Sequence, residues 1–193
     1  MKKLENTLPN TVEQWDGYWK TYAEKRLVDF TQRDKPYGVM KYLRYGDKIL
    51  DVAGGIGACS YVLKMTNPSW NISICDVSRT ALDFMRERNM PFSEIFYADI
   101  FSINRPENSY DVVINMETLE HLDNPKEAIK HLVKAARDRL IITTPYEERT
   151  TDPTHKWAFT LDDVYKMLEP YGHVVLEIIG GKSNILACCY LKK

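Results

Sequence analysis

Short apolar runs rich in β-branched residues alternate along this chain with stretches in which apolar positions recur every third or fourth residue. The first pattern predicts strands and the second amphipathic helices. Strands are expected at residues 48–52, 71–75, 94–97, 111–115 and 139–143, with a closing pair at 173–179 and 184–191. Helices are expected at 58–64, at 78–89 with Ser78 as N-cap, at 125–136, and at 161–168 with Thr160 as cap. The apolar run 111–115 suits a strand covered on both faces. Gly180-Gly181-Lys182-Ser183 separates the last two strands closely enough for a hairpin, so the sheet is expected to end with an antiparallel strand. Strands alternating with helices imply an open α/β fold, mostly parallel, that takes ligands at the carboxyl ends of its strands.

Two pieces stand outside this alternation. Residues 11–27 form an aromatic helical stretch in which Trp15, Tyr18, Trp19 and Tyr22 fall at i, i+3, i+4 and i+7. That stripe can simply pack the helix on the domain, or it can cover a ligand with an aromatic face. Residues 144–159 form a polar loop holding Pro145, Pro153 and His155. The chain therefore divides into a helical cap, residues 1–45, and an α/β domain, residues 46–193.

A formal net charge of −1 supplies no global attraction for nucleic acid or an anionic membrane. The longest apolar runs are too short to span a bilayer, and the first residues turn polar at once, unlike a signal peptide. Cys59, Cys75, Cys188 and Cys189 form no CxxC pair, which fits a reducing, cytoplasmic compartment; a monomer or homodimer is expected, though no feature of the sequence decides between them.

The candidate chemistry begins at Asp51-Val52-Ala53-Gly54-Gly55-Ile56-Gly57, where the first of these strands turns into a helix. Glycines there let backbone approach a ligand, and the helix start offers N–H groups. Alone, the turn fits a tight corner or a nicotinamide-binding domain equally well. Two strand-end acids narrow it. Asp76 stands where a carboxylate accepts ribose hydroxyls, and Asp99 where one accepts from an adenine amino group. Ser60 occupies the place of the third glycine of the dinucleotide fingerprint.

These motifs, in this order, resemble the class I S-adenosylmethionine-dependent methyltransferases over roughly residues 40–193. The glycine segment looks like their Asp-x-Gly-x-Gly-x-Gly motif, with Ala53 in place of the first glycine. The resemblance implies a Rossmann-like open sheet of seven strands with helices on both faces, and S-adenosyl-L-methionine as cofactor. It implies that Asp51, Ala53, Gly54, Gly55 and Gly57 surround the methionine portion and that Asp76 holds the ribose. Val77 and Ile100 would sandwich the adenine, Asp99 would bond its amino group, and Asn115 would line the sulfonium side. Tyr22 is expected on the cofactor from the covering helix.

On the acceptor side, Glu117-Thr118-Leu119-Glu120-His121 puts positions 117, 120 and 121 on one face if the segment is helical. The run and the later His155 are similar to those of small-RNA 3′-end methyltransferases and ubiquinone-pathway O-methyltransferases. That likeness implies a divalent metal ion held by Glu117, Glu120, His121 and His155. A metal-free variant uses His155 or His121 as general base. His131 and His173 read as structural, while Trp157 and Phe159 are expected to wall an acceptor pocket. The expected acceptor is a small hydroxylated molecule such as a phenol, catechol or sugar. An RNA-end acceptor lacks any basic run to support it, and a cofactor-binding relative without turnover is the remaining alternative.

Overall fold

The computed structural model describes residues 1–5, 7–29, 34–147 and 152–192, with the Lys182 side chain excepted. In chain order the elements are β1 (Lys2–Lys3), α1 (Val12–Leu27), α2 (Asp34–Met40), β2 (Lys48–Val52), α3 (Ala58–Thr66), β3 (Asn71–Asp76), α4 (Arg79–Glu87) and β4 (Glu94–Tyr97). There follow β5 (Tyr110–Met116), α5 (Pro125–Ala135), β6 (Ala136–Pro145), β7 (Trp157–Ala158), α6 (Leu161–Leu168), β8 (Gly172–Ile179) and β9 (Asn184–Leu191). Local chemistry places the helix starts. The Ser78 hydroxyl accepts from the Ala81 N–H at 3.1 Å, Thr160 and Asp163 form a capping box, and Pro125 follows the Asn124 cap of α5.

The main sheet runs β4-β3-β2-β5-β6-β9-β8. Its first five strands are mutually parallel, and β9 runs antiparallel to both β6 and β8. Side chains alternate between two cores. Leu50, Val113 and Leu140 pack with α5 and α6 on one face, while Ile49, Ile72 and Ile114 pack with α2 and α3 on the other. Ile74 meets α4 and Ala23 of α1 in a third cluster. The strand order reverses between β2 and β5, so a crevice opens at their carboxyl ends. No helix among the described residues is long and apolar enough to cross a membrane.

Three features depart from the sequence expectations. Helix α2 was not foreseen, because Pro36 and Gly38 argue against helix locally. It forms because it packs tightly on β9: a Cβ on Gly38 would stand 2.6 Å from Leu186 Cδ1. The loop 144–159 contains β7, which pairs with β1 from the far end of the chain. The segment 117–121 is not a continuous helix. β5 ends at Met116, Glu117 takes a positive φ of 52°, and only Leu119–His121 form a single 3₁₀ turn.

Candidate active site

The glycine turn is held from below and crossed from above. Gly54 N–H donates to the Cys75 carbonyl at 3.1 Å and Gly57 N–H to that of Gly54 at 2.9 Å. Ala53 takes φ 56°, the left-handed conformation that a glycine would adopt without strain. Trp19 of α1 lies on the turn so closely that a Cβ on Gly55 would stand 2.4 Å from its ring. Asp76 accepts from Gly55 N–H and from Ser78 N–H, both at 2.8 Å. Asp51 Oδ2 accepts from the Ser60 hydroxyl at 2.6 Å, which gives Ser60 a role of its own. Burial pushes the Asp51 carboxyl up to about 7, opposed by the Ser60 bond and reinforced by Asp76. Burial also raises Asp76, against the backbone N–H groups that stabilise its charge. Asp99 folds back to accept from Phe101 N–H at 2.9 Å.

One cavity of about 870 Å³ joins these groups. Asp51, Ala53, Gly54, Gly55, Asp76, Val77, Asp99 and Ile100 line one side of it; Glu117, Glu120, His121 and His155 line the other; Trp15, Tyr18 and Trp19 cover it. Three expected cofactor residues lie outside the lining. Tyr22 is 44 % exposed and leans on Tyr18 on the outer side of α1. Gly57 caps α3 and faces Phe92 and Met85. Asn115 is fully buried, its amide donating to the Val52 carbonyl at 2.8 Å, so it ties β5 to β2 beneath the floor.

At the other end, Glu120, His121 and His155 bring ligand atoms within 4.8 Å of one another. The rings of His121 and His155 meet edge to face at 4.6 Å, and Trp15 meets His121 at 5.0 Å. His121 Nδ1 lies 3.1 Å from the Thr154 carbonyl. A carbonyl only accepts, so Nδ1 carries the hydrogen and the Nε2 lone pair is the reactive one. Asn10 fastens both loops, donating to the carbonyls of His121 (3.0 Å) and Thr154 (2.9 Å). Asp152 stands 3.7 Å from His155 Nε2. Glu117 does not join this group. It pairs with Lys35 at 3.1 Å and accepts from the Thr143 hydroxyl at 2.8 Å, because its positive φ turns it away from Glu120. Trp157 and Phe159 are not acceptor walls either: the Trp157 ring donates to the Leu122 carbonyl and Phe159 is core. His131 and His173 lie apart, beside Glu127 and Tyr190. Lys35, Asn10 and Asp152 were missed. Only the polarity of the 144–159 loop hinted at Asp152, and nothing local marked the other two.

Residues 50–139 match the family model described as a methyltransferase domain. A search of curated proteins gave no match. Among solved structures, a chain of the complex between the Haloferax volcanii Trm112 methyltransferase activator and its candidate methyltransferase superposes with TM-score 0.81. The two are 12 % identical, covering 93 % of this chain and 98 % of that one. A SAM-dependent methyltransferase from Aquifex aeolicus gives TM-score 0.70 at 19 % identity, covering 95 % and 100 %. A SAM-dependent methyltransferase from Thermotoga maritima, described as a possible histamine N-methyltransferase, gives 0.70 at 13 %, covering 94 % and 100 %. Residues 50–139 therefore match a methyltransferase domain, and the chain as a whole shares the fold of these SAM-dependent methyltransferases.

Proposed function

We propose that the protein transfers a methyl group from S-adenosylmethionine to an oxygen of a small hydroxylated acceptor. The continuity of one cavity from Asp99 to His155 carries this reading. Its volume stands near the upper end for single-ligand pockets, which leaves room for a cofactor and a small second molecule. In this reading Asp76 takes the ribose hydroxyls, Asp99 the adenine amino group, and Val77 and Ile100 the ring faces. Asp51, Ala53, Gly54 and Gly55 surround the methionine arm, and residues 1–45 act as the cap. When bound, S-adenosylmethionine would supply the methyl group as an electrophile with a good leaving group, and His155 or His121 would take the proton of the acceptor hydroxyl. Asp152, whose carboxyl stays below its usual range because Thr154 hydrogen bonds and the histidines outweigh burial, would stabilise the imidazolium.

The clustering of Glu120, His121 and His155 favours a second form of the same reaction. Two imidazoles and a carboxylate fit a divalent ion, and the Nδ1 contact of His121 with a carbonyl is the kind that orients a metal-binding ring. Such an ion would lower the pKa of a bound hydroxyl. The cavity lining carries eight carboxylates against three cations, which disfavours a phosphate-bearing RNA end. A cytoplasmic enzyme acting as monomer or homodimer completes the proposal.

The test combines binding and turnover. S-adenosylhomocysteine at about a hundred times its dissociation constant should raise stability by roughly 2.7 kcal/mol, and NAD(H) should leave it unchanged. Against a panel of phenols, catechols, sugars and amines, methyl uptake should fall about 10²–10⁴-fold in His155→Ala or His121→Ala. Turnover that survives chelator assigns the proton to histidine; turnover lost and restored by a divalent ion assigns the metal. Stabilisation by NAD(H) alone would overturn the reading.

A further inference from the structure

Three segments far apart in the chain meet at the His121 ring. The residues that carry it, Leu119–His121, make a single 3₁₀ turn past the end of β5. So short a helix offers no neighbouring turn against which a side chain can be packed. The ring takes its direction from the carbonyl of Thr154, which lies 3.1 Å from Nδ1 and 33 residues further along the chain. That carbonyl also accepts from the Asn10 amide at 2.9 Å, and its two lone pairs suffice for both donors. The same amide nitrogen donates to the His121 carbonyl at 3.0 Å. Asn10 therefore holds both the backbone of the residue that donates and the oxygen that accepts.

Asn10 is placed for these two donations. Carbonyls only accept, so its nitrogen has to face the pair, and Oδ1 is left buried with no hydrogen-bond partner among the described residues. An unpaired buried acceptor costs stability, and a residue chosen for stability alone would not carry one. The chain before Asn10 is pinned in register, with Leu4 and Leu8 N–H donating to the Lys156 and Pro153 carbonyls at 2.8 and 2.6 Å. After it, Trp15 meets the His121 ring edge to face at 5.0 Å, and the same ring meets His155 at 4.6 Å. Asn10, Trp15, His121 and His155 all line the cavity. A neutral imidazole in water favours the hydrogen on Nε2. A carbonyl at Nδ1 reverses that preference and puts the lone pair on Nε2. Proton acceptance and metal ligation both need that lone pair.

Resting on the reading of His121 as base or ligand, we propose that Asn10 is a positioning residue. Its amide keeps the Thr154 carbonyl on His121 Nδ1, so that the hydrogen stays there and the lone pair stays on Nε2. The His121–His155 end of the cavity is thereby complete only when the N-terminal segment is seated.

Proton–nitrogen correlation spectra of the imidazole rings test this, recorded in chelator and at a pH where the rings are neutral. The chain has four histidines, and His121→Gln identifies the signal. In wild type His121 should be the Nδ1–H tautomer. In Asn10→Ala it should move toward Nε2–H, and the kcat of methyl transfer to catechol should fall about 10–100-fold. Affinity for S-adenosylhomocysteine should stay within about twofold. Asn10→Asp keeps the shape, removes the donors and should match Asn10→Ala; behaviour like wild type would mean that shape, not donation, matters, and would overturn the proposal. So would an unchanged tautomer in Asn10→Ala, a changed tautomer with undiminished kcat, or an equal loss of S-adenosylhomocysteine affinity, which would make Asn10 a general clamp on the N-terminal segment. Wild type that binds S-adenosylhomocysteine but leaves catechol unmethylated counts against the acceptor reading, and the spectra then decide the placement of the ring by themselves.

Discussion

Asp51 shows how one side chain couples stability to the site. Its carboxyl titrates near 7 in the fold, because burial withdraws solvent from the charge and Asp76 repels it. In the unfolded chain it titrates near its ordinary value of 3.8. Between those values the folded state holds a proton that the unfolded state has released, so stability falls as pH rises from about 4 to about 7. The denaturation midpoint should therefore drop between pH 5 and pH 8, and Asp51→Asn should flatten that decline. An unchanged slope in the variant would place the titrating group elsewhere. At this scale a residue type and its position at a strand end were enough to bring Asp51, Gly54, Gly55, Asp76 and Asp99 to the wall of one cavity. The sequence did not foretell that Tyr22, Gly57 and Asn115 stand outside that lining. Each belongs to the right motif, but helix rotation, a capping role and a bond to Val52 take it out of the cavity.

Among the elements, residues 1–5 and 7–29 behave as a strap. β1 pairs with β7, Leu4 and Leu8 donate to the carbonyls of Lys156 and Pro153, and Asn10 holds the loops that carry His121 and Thr154. α1 then crosses the cavity and is fastened to the start of α4 by Asp16, which accepts from the Ser78 hydroxyl at 2.6 Å and Thr80 N–H at 3.1 Å. Burial would raise the Asp16 carboxyl, but these bonds outweigh it and lower it. Asp16→Ala should cost about 1 kcal/mol, the scale of a lost helix cap. Amide exchange should quicken across residues 12–27 while the main-sheet strands keep their protection. Equal loss of protection in the strands would show that α1 is part of the global folding unit. The amphipathic helices and most strands were readable because burial on one face imposes a period. β1, β7 and α2 were not, since partners distant in sequence create them.

For the molecule as a whole, the strap touches both ends of one cavity, the glycine-turn end and the His121–His155 end, so a ligand at either end should be felt along its length. S-adenosylhomocysteine should slow amide exchange both in α1 and at residues 2–10. Slowing confined to the glycine turn would mean that the strap answers to neither side. The sequence by itself determined the order of strands and helices, the position of the glycine turn and the two strand-tip acids. Those follow from local periodicity, turn chemistry and where strands end. Tertiary structure alone decided that Glu117 faces Lys35 instead of Glu120, that His121 and His155 meet ring to ring, and that the N-terminal segment closes the cavity. Each of these depends on which distant segments share a sheet edge, and no local spacing encodes that.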